Sequence, residues 1–391
     1  KEFFENIEIA PPGFINFRLK KDFILSKLNS LLTMGEKFFS LDIGKGKKVQ
    51  IEFVSANPTG PLHLGHGGSA AVGQALVNIL REAGFVVTTE YYINDAGRQV
   101  ELLGKSVYWA LQKLFGKDIQ MPEDCYKGEY IHEIAKEIYQ LYGDTLIDKT
   151  FEEISNFLIE YSSKKMLDDI KKDLQDFGFF FDNWVSEKKL YETGEVQKAI
   201  TKLKELDCIY EKDGAQWFRS SAFGDEKDRV VLKSNGEYTY FASDIAYHKN
   251  KIERGFDELI NIWGADHHGY IKRVTAAVEA LGFDSSKIKI LLIQMVNLLR
   301  EGIPFQMSKR AGTFVTLREL MDEISPDTTK FIFLTRRHDS HLEFDVEIAK
   351  KQSQENPVYY VQYAHARINS IFEKAKAECK NIHFDLFNED E

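Results

Sequence analysis

The residues with the clearest chemical potential lie in Ser55-Ala56-Asn57-Pro58-Thr59-Gly60-Pro61-Leu62-His63-Leu64-Gly65-His66-Gly67. His63 and His66, with a glycine between them, are both able to donate to phosphate oxygens. Gly65 and Gly67 keep side chains out of the way, so that a flat base or a phosphate could approach the backbone. Alone, a His-x-Gly-His tetrapeptide also reads as two turn histidines beside flexible glycines. A second cluster stands far downstream, Gln306-Met307-Ser308-Lys309-Arg310-Ala311-Gly312-Thr313. Its small residues suit a loop, and Lys309 and Arg310 supply positive charge suited to transferring or leaving phosphates. Such a loop is otherwise an ordinary solvated turn, and the pairing of the two clusters gives it weight.

The elements around the first cluster predict where it sits. Val49, Ile51 and Phe53 alternate with polar residues, which is strand periodicity. Ala71, Val72, Ala75, Leu76, Ile79 and Leu80 recur at helical spacing and Gly84 supplies a stop. Phe85 to Ile93 reads as the next strand. This is a βαβ unit with the histidines at the carboxyl end of its first strand, the edge where parallel sheets bind ligands and helix N-termini favour anions. The second cluster follows an apolar run, Ile290 to Leu299, read as one buried strand. Gly264-Ala265-Asp266-His267-His268-Gly269 likewise follows a strand, Leu259 to Trp263, and opens a helix over Tyr270 to Leu281.

Elsewhere the pattern is coarser. Gly13 to Leu19 alternates like a strand, and Asp22 to Leu32 and roughly Gly97 to Phe115 read as helices. Residues 121–235 are rich in Glu, Lys, Tyr and Phe, with helical periodicity in Ile131 to Tyr142 and Phe151 to Phe177. Trp217, Phe218 and Val230 to Leu232 suggest short strands. Asn356 and Pro357 have the form of an N-cap and first-turn proline. Val358, Val361, Ala364, Ile368 and Ile371 then mark one helix face. The end, Asn388 to Glu391, reads as unstructured.

At 391 residues the chain is expected to form two or three domains, and 43% apolar with 29% charged residues is an ordinary globular composition. No apolar run approaches a membrane span and no secretory leader is visible. Cys125, Cys208 and Cys379 form no Cys-x-x-Cys pair, which argues against a zinc knuckle or disulfide scaffold and favours a reducing cytoplasm. A net charge of −10 argues against nucleic-acid binding by bulk attraction while allowing a local basic groove. No Ser/His/Asp triad or Cys/His pair is suggested by the spacing.

His63-Leu64-Gly65-His66 resembles the HIGH motif of class I aminoacyl-tRNA synthetases, and Met307-Ser308-Lys309 the core of their KMSKS loop. Longer blocks resemble arginyl-tRNA synthetases: Ser55 to His63, Tyr92-Ile93-Asn94-Asp95-Ala96-Gly97, Thr239 to His248, and Asn356 to Arg367. These blocks run through nearly the whole chain. Gln306 departs from the class pattern, which has lysine there, so loop chemistry is expected on Lys309 and Gln306 receives no role.

The resemblance implies an α/β fold: a Rossmann-like parallel-sheet catalytic domain with a mainly helical insertion, followed by the start of a helical anticodon-binding domain. Residues 1–20 would close an N-terminal appended domain; 21–120 and 236–345 would be the catalytic halves, 121–235 the insertion, and 346–391 the start of the anticodon bundle. Most of both terminal domains would be missing. The implied reaction activates L-arginine with ATP, accompanied by Mg2+, and passes it to the 3′ end of tRNA(Arg). A monomer without a structural metal is expected. Family members generally need bound tRNA even for amino-acid activation.

Arginine calls for carboxylates, because guanidinium is a planar, permanent cation best met by paired oxygens. By resemblance, Tyr240 and Asp244 belong to its side-chain pocket with help from Glu52, while Ser55 and Asn57 hold its ammonium or carboxylate. Asp266 would touch the ammonium and His268 flank the adenine. His63, Gly65, His66, Gly67, Met307, Ser308 and Lys309 would hold ATP, with His63, His66 and Lys309 catalytic. Blander readings stand beside these: Asp244 or Asp266 as helix caps, Glu52 as a solvated strand residue, the 267–268 histidines facing solvent. A class I ligase for another amino acid such as cysteine, and a non-catalytic RNA-binding paralogue, are the rival functions. The Glu52/Asp244 carboxylates speak against the first, the His63, His66 and Lys309 set against the second.

Overall fold

A computed structural model describes residues 2–117, 119–304, 315–351, 353 and 356–378. The chain opens with an antiparallel hairpin, β1 (Phe4–Ala10) and β2 (Phe14–Leu19), and helix α1 (Lys21–Met34), none of whose residues is buried. The βαβ unit follows: β3 (Lys48–Glu52), α2 (Leu64–Glu82) and β4 (Val86–Ile93), with β3 and β4 parallel. Next come α3 (Arg98–Leu114), α4 (Glu129–Tyr142) and α5 (Phe151–Asp176), which share an apolar core of Leu103, Val107, Leu111, Ile134, Ile138 and Leu158. Then follow β5 (Asn183–Ser186), α6 (Glu187–Glu192), α7 (Glu195–Glu205) and a small antiparallel sheet of β6 (Ile209–Lys212), β7 (Ala215–Phe218) and β8 (Arg229–Leu232).

The α/β pattern resumes with α8 (Tyr240–Glu253), β9 (Glu258–Gly264), α9 (Ile271–Ala280) and β10 (Ile288–Ile293). A further sheet holds β11 (Val296–Arg300), β12 (Ile303–Pro304) and β13 (Leu342–Asp345), flanked by α10 (Leu317–Ile324), α11 (Pro326–Phe333) and α12 (Val346–Lys350). Helix α13 (Pro357–Glu378) is the last described element.

The central sheet has five parallel strands in the order β10-β9-β3-β4-β5. Its order reverses between β3 and β9, and a doubly wound sheet binds ligands beyond the carboxyl ends at such a point. In β3 the alternation is not core against solvent. Val49 and Ile51 face an apolar core, while Gln50 and Glu52 are buried too, on a polar interior face. Gly73 of α2 allows close approach to β3, since a Cβ there would lie 2.3 Å from the Phe53 ring.

Three expectations change. The apolar run 290–299 is two strands, because β10 loses its partner where β9 ends at Gly264. The chain then turns, Gln294 N–H donating to His338 O at 2.8 Å, and β11 pairs with β13 instead. Segment 121–235 is not separate from the sheet, for β5 pairs in parallel with β4 and Ile170, Leu174 and Phe177 pack in the same core as Phe53. The apolar face expected on α13 is mostly exposed: Val358 is buried, whereas Val361, Ile368 and Ile371 are not. Asn356 does begin that helix, its side-chain oxygen accepting from Val358 N–H at 3.0 Å.

Candidate active site

The turn out of β3 positions the first cluster, and it is strained. Val54 and Ser55 take φ of +67° and +40°, a conformation β-branched Val54 adopts only when neighbours impose it. Ser69 on α2 accepts from Val54 N–H at 3.1 Å. The Ser55 hydroxyl donates to Glu52 Oε1 at 3.0 Å and accepts from Tyr92 N–H at 3.1 Å, tying β3 to β4. Ser55 is thus used within the protein, while the Asn57 amide donates to Gln99 Oε1 at 2.6 Å.

His63 is the N-cap of α2, and the two histidines cap each other's backbone. His63 Nδ1 accepts from Gly65 N–H and His66 Nδ1 from His63 N–H, both at 3.2 Å. The rings stack with centroids 3.7 Å apart. An Nδ1 that accepts puts the proton of each neutral ring on Nε2, a donor at the positive end of a helix. Gly67 has a packing reason instead of the expected open approach, since a Cβ there would come within 2.8 Å of Leu317 and 3.1 Å of Phe333.

Met307, Ser308 and Lys309, with Gln306, lie outside the described residues. Their C-terminal flank does not. Thr316 forms an antiparallel bridge with His63, and Leu317 N–H donates to Leu62 O at 2.8 Å. The tertiary fold therefore brings the flank of the second cluster against the first.

Helix α8 carries Tyr240 and Asp244, two of the residues expected to meet arginine. Its N-cap is Thr239, which leaves Asp244 in the helix interior and removes the capping reading of Asp244. Tyr240 and Asp244, one turn apart, share a face. Tyr270 donates its hydroxyl to Asp244 Oδ2. Burial, helped by the Glu52 charge and offset by Tyr270, pushes the Asp244 carboxyl up to about 6. Tyr240 is 52% exposed, its hydroxyl 3.1 Å from where a Gly97 Cβ would be.

Glu187 is a further candidate site residue, one that sequence reasoning missed. It begins α6, is 2% exposed, and accepts from Ser243 Oγ at 2.6 Å. Burial first, then the Asp244 and Asp95 charges, push its carboxyl up to about 7. Glu187 Oε2 and the buried Tyr92 hydroxyl have no hydrogen-bond partner among the described residues. Its sequence signal was weak, because one acidic residue at a helix start is commonplace.

Three more of the expected residues complete the placement. Glu52 is neither solvated nor facing the pocket as a bare charge: it is 6% exposed and paired with the fully buried Lys251. Asp266 and His268 lie at the carboxyl end of β9 in an exposed 3-10 turn, Ala265–Tyr270, where Gly264 is the N-cap and Asp266 caps nothing. Asp266 instead lies 3.7 Å from His267 Nε2.

The comparisons agree on a class. A family model described as the catalytic domain of class I tRNA synthetases (R) matches residues 27–371. An arginine–tRNA ligase of Citrifermentans bemidjiense is 51% identical over 381 residues, spanning 97% of this chain and 69% of that protein. A Campylobacter jejuni crystal structure assigned as an arginyl-tRNA synthetase matches with TM-score 0.85 and 43% identity, over 92% of this chain and 78% of that one. The Thermus thermophilus arginyl-tRNA synthetase matches over 96% of this chain and 71% of its own with TM-score 0.71, and at 23% identity supports the fold alone. The chain belongs to the arginyl-tRNA synthetases.

Proposed function

We propose that this site joins arginine to the 3′ end of tRNA(Arg) in two steps, with the residue roles that follow. By family the chain is an arginine–tRNA ligase using ATP. The arginine carboxylate attacks the α-phosphorus of ATP, giving arginyl-adenylate and pyrophosphate. The terminal ribose hydroxyl of the tRNA then attacks the activated carbonyl and releases AMP. Most of the protein's contribution is orientation and charge stabilisation. His63 and His66 donate from Nε2 to the phosphates, and Lys309 meets charge building on pyrophosphate. Gly65 leaves room for the nucleotide, Met307 and Ser308 contribute to ATP binding, and His268 flanks the adenine. Asn57 and Asp266 orient the arginine backbone.

The observation that carries the substrate assignment is two acidic side chains linked through neighbouring residues of α8, Glu187 accepting from Ser243 and Asp244 from Tyr270. Their carboxyls are pushed up to about 7 and about 6, and Glu187 Oε2 has no hydrogen-bond partner among the described residues. A guanidinium supplies the missing cation and up to five donors. An uncharged side chain such as that of cysteine would supply neither the charge nor the donors.

Among the described residues no group of three or more His, Cys, Asp or Glu side chains could hold a metal. We propose that Mg2+ accompanies ATP and neutralises charge on its phosphates. Among those residues no helix is long and apolar enough to cross a membrane. Buried free thiols at Cys125 and Cys208 support residence in a reducing cytoplasm, and we propose a monomer. The test is ATP–pyrophosphate exchange in the presence of tRNA(Arg), comparing arginine, citrulline and cysteine. Exchange confined to arginine is expected; exchange with cysteine, or tRNA binding without any exchange, would overturn the reading.

A further inference from the structure

The polar face of the central sheet holds a charged row directly beneath the site. Glu52 of β3 stands opposite Asn261 of β9 on one side and Glu90 of β4 on the other. All three side chains are buried, at the strand-order reversal, where a pair of carboxylates would repel across neighbouring strands. Helix α8 and its C-cap supply the counter-charges. Arg254 pairs with Glu90, donating from Nη2 to Oε1 at 2.8 Å, and Tyr247 donates its hydroxyl to the same oxygen at 2.7 Å. Lys251, 0% exposed, pairs with Glu52 and donates to Asn261 Oδ1 at 2.8 Å, its ammonium 4.2 Å from the Tyr247 ring centre.

The row is joined to both halves of the site. Asn261 Nδ2 donates to His248 Nε2 at 3.0 Å, and His248 Nδ1 donates to Asp244 O at 2.8 Å. Burial, reinforced by the Lys251 charge, keeps His248 neutral, its pKa pushed down to about 3. On the other side Glu52 accepts from the Ser55 hydroxyl, which orders the strained Val54–Ser55 turn leading to His63. One ammonium thus touches both strands at the reversal and belongs to the helix that carries Tyr240 and Asp244.

We propose that Lys251 is a positioning residue for adenylate formation, holding the arginine-side helix α8 in register with the nucleotide-side turn through Glu52 and Asn261. It touches no substrate; it sets the distance between the groups that do. The inference rests on the arginine–ATP reading of the site. A residue that seats only arginine would alter arginine use alone, whereas one that sets the register of both halves alters arginine and ATP use together.

The experiment is pyrophosphate exchange by the complete enzyme with its tRNA, varying arginine and ATP separately, for the native protein and Lys251→Met. Expected is a fall of at least roughly tenfold in kcat/KM for each substrate in a folded protein. Loss of a buried cation should also shift the acid limb of the arginine KM profile to higher pH, because Lys251 is among the charges favouring the Asp244 carboxylate, with Arg273, against Glu52. A folded variant with native values, or with arginine use alone impaired, overturns the proposal. Should Lys251→Met fail to fold, His248→Gln decides. It retains an acceptor for Asn261 and the Glu52–Lys251 pair while losing the donor to Asp244. A joint fall in both parameters supports the coupling and native values overturn it. Absence of arginine-dependent exchange in the native enzyme would refute the underlying reading instead.

Discussion

At the scale of single residues, the proposed roles of Asp244 and Glu187 make a pocket that depends on its substrate. Guanidinium prefers a carboxylate, while burial and like charge favour the protonated acid in the arginine-free site. On the proposed reading, arginine binding should be fully developed well above pH 7 and weaken as pH falls through about 7 and then about 6. The arginine KM should rise toward roughly tenfold per pH unit between these values and more steeply below the lower one, with ATP KM much flatter. Asp244→Asn should weaken arginine kcat/KM by at least ~2 kcal/mol, the loss of a charge-assisted pair. It should also narrow the preference for arginine over citrulline, and an unchanged preference would remove Asp244 from the pocket. Glu187→Gln separates function from stability. A carboxyl whose folded pKa exceeds its unfolded value destabilises the fold progressively as pH rises from the unfolded value to the folded one. The variant should gain on the order of 1 kcal/mol in the arginine-free protein at pH 8, read by urea denaturation, while arginine kcat/KM drops. A variant both less stable and fully active would mean that Glu187 is a structural acid only.

Helix α2 transmits the site's geometry. Its N-terminus is organised by reciprocal capping between His63 and His66, so that the proposed catalytic duty and a structural one share the same rings. His66→Ala should slow adenylate formation by about 10²–10³, the loss of one preorganised donor. The lost cap adds a fall of about 1 kcal/mol in stability. Near-native single-turnover rates would dismiss the donor role even if the melting temperature fell. Farther along α2, Gly73 sits against Phe53, immediately before the strained turn. Gly73→Ala forces a Cβ into that ring and should destabilise by about 1–3 kcal/mol, measured as a lower urea midpoint with unchanged slope.

At the scale of the whole molecule, segments far apart in sequence meet around one sheet edge. Arg318, two residues beyond the Thr316 bridge to His63, donates from Nε to Asp173 Oδ1 at 2.9 Å and also pairs with Asp176 on α5. It fastens the flank of the Lys309 loop to a helix of the 121–235 segment. Arg318→Ala should lower stability by about 1–2 kcal/mol, a partly exposed pair with one buried carboxylate. ATP KM should rise while arginine KM holds. Equal changes in both constants would show a general loosening instead.

The sequence by itself determined the βαβ unit, the place of His63 and His66 at its turn, the helical character of 131–142 and 151–177, and the family. Each rests on local chemistry: periodicity, a proline–glycine turn, capping residues and contiguous motif blocks. Tertiary structure alone decided the break at Gln294, because that strand ends only where its neighbour β9 ends. It alone joined β5 to the sheet, paired Glu52 with Lys251 across 199 positions of chain, and buried Glu187 with one carboxyl oxygen lacking a partner among the described residues. Burial of a charge, and the partner that offsets it, are properties of groups brought together by folding. No local pattern carries them, since the same glutamate in the same strand is solvated, paired or poised for a ligand according to what packs above it.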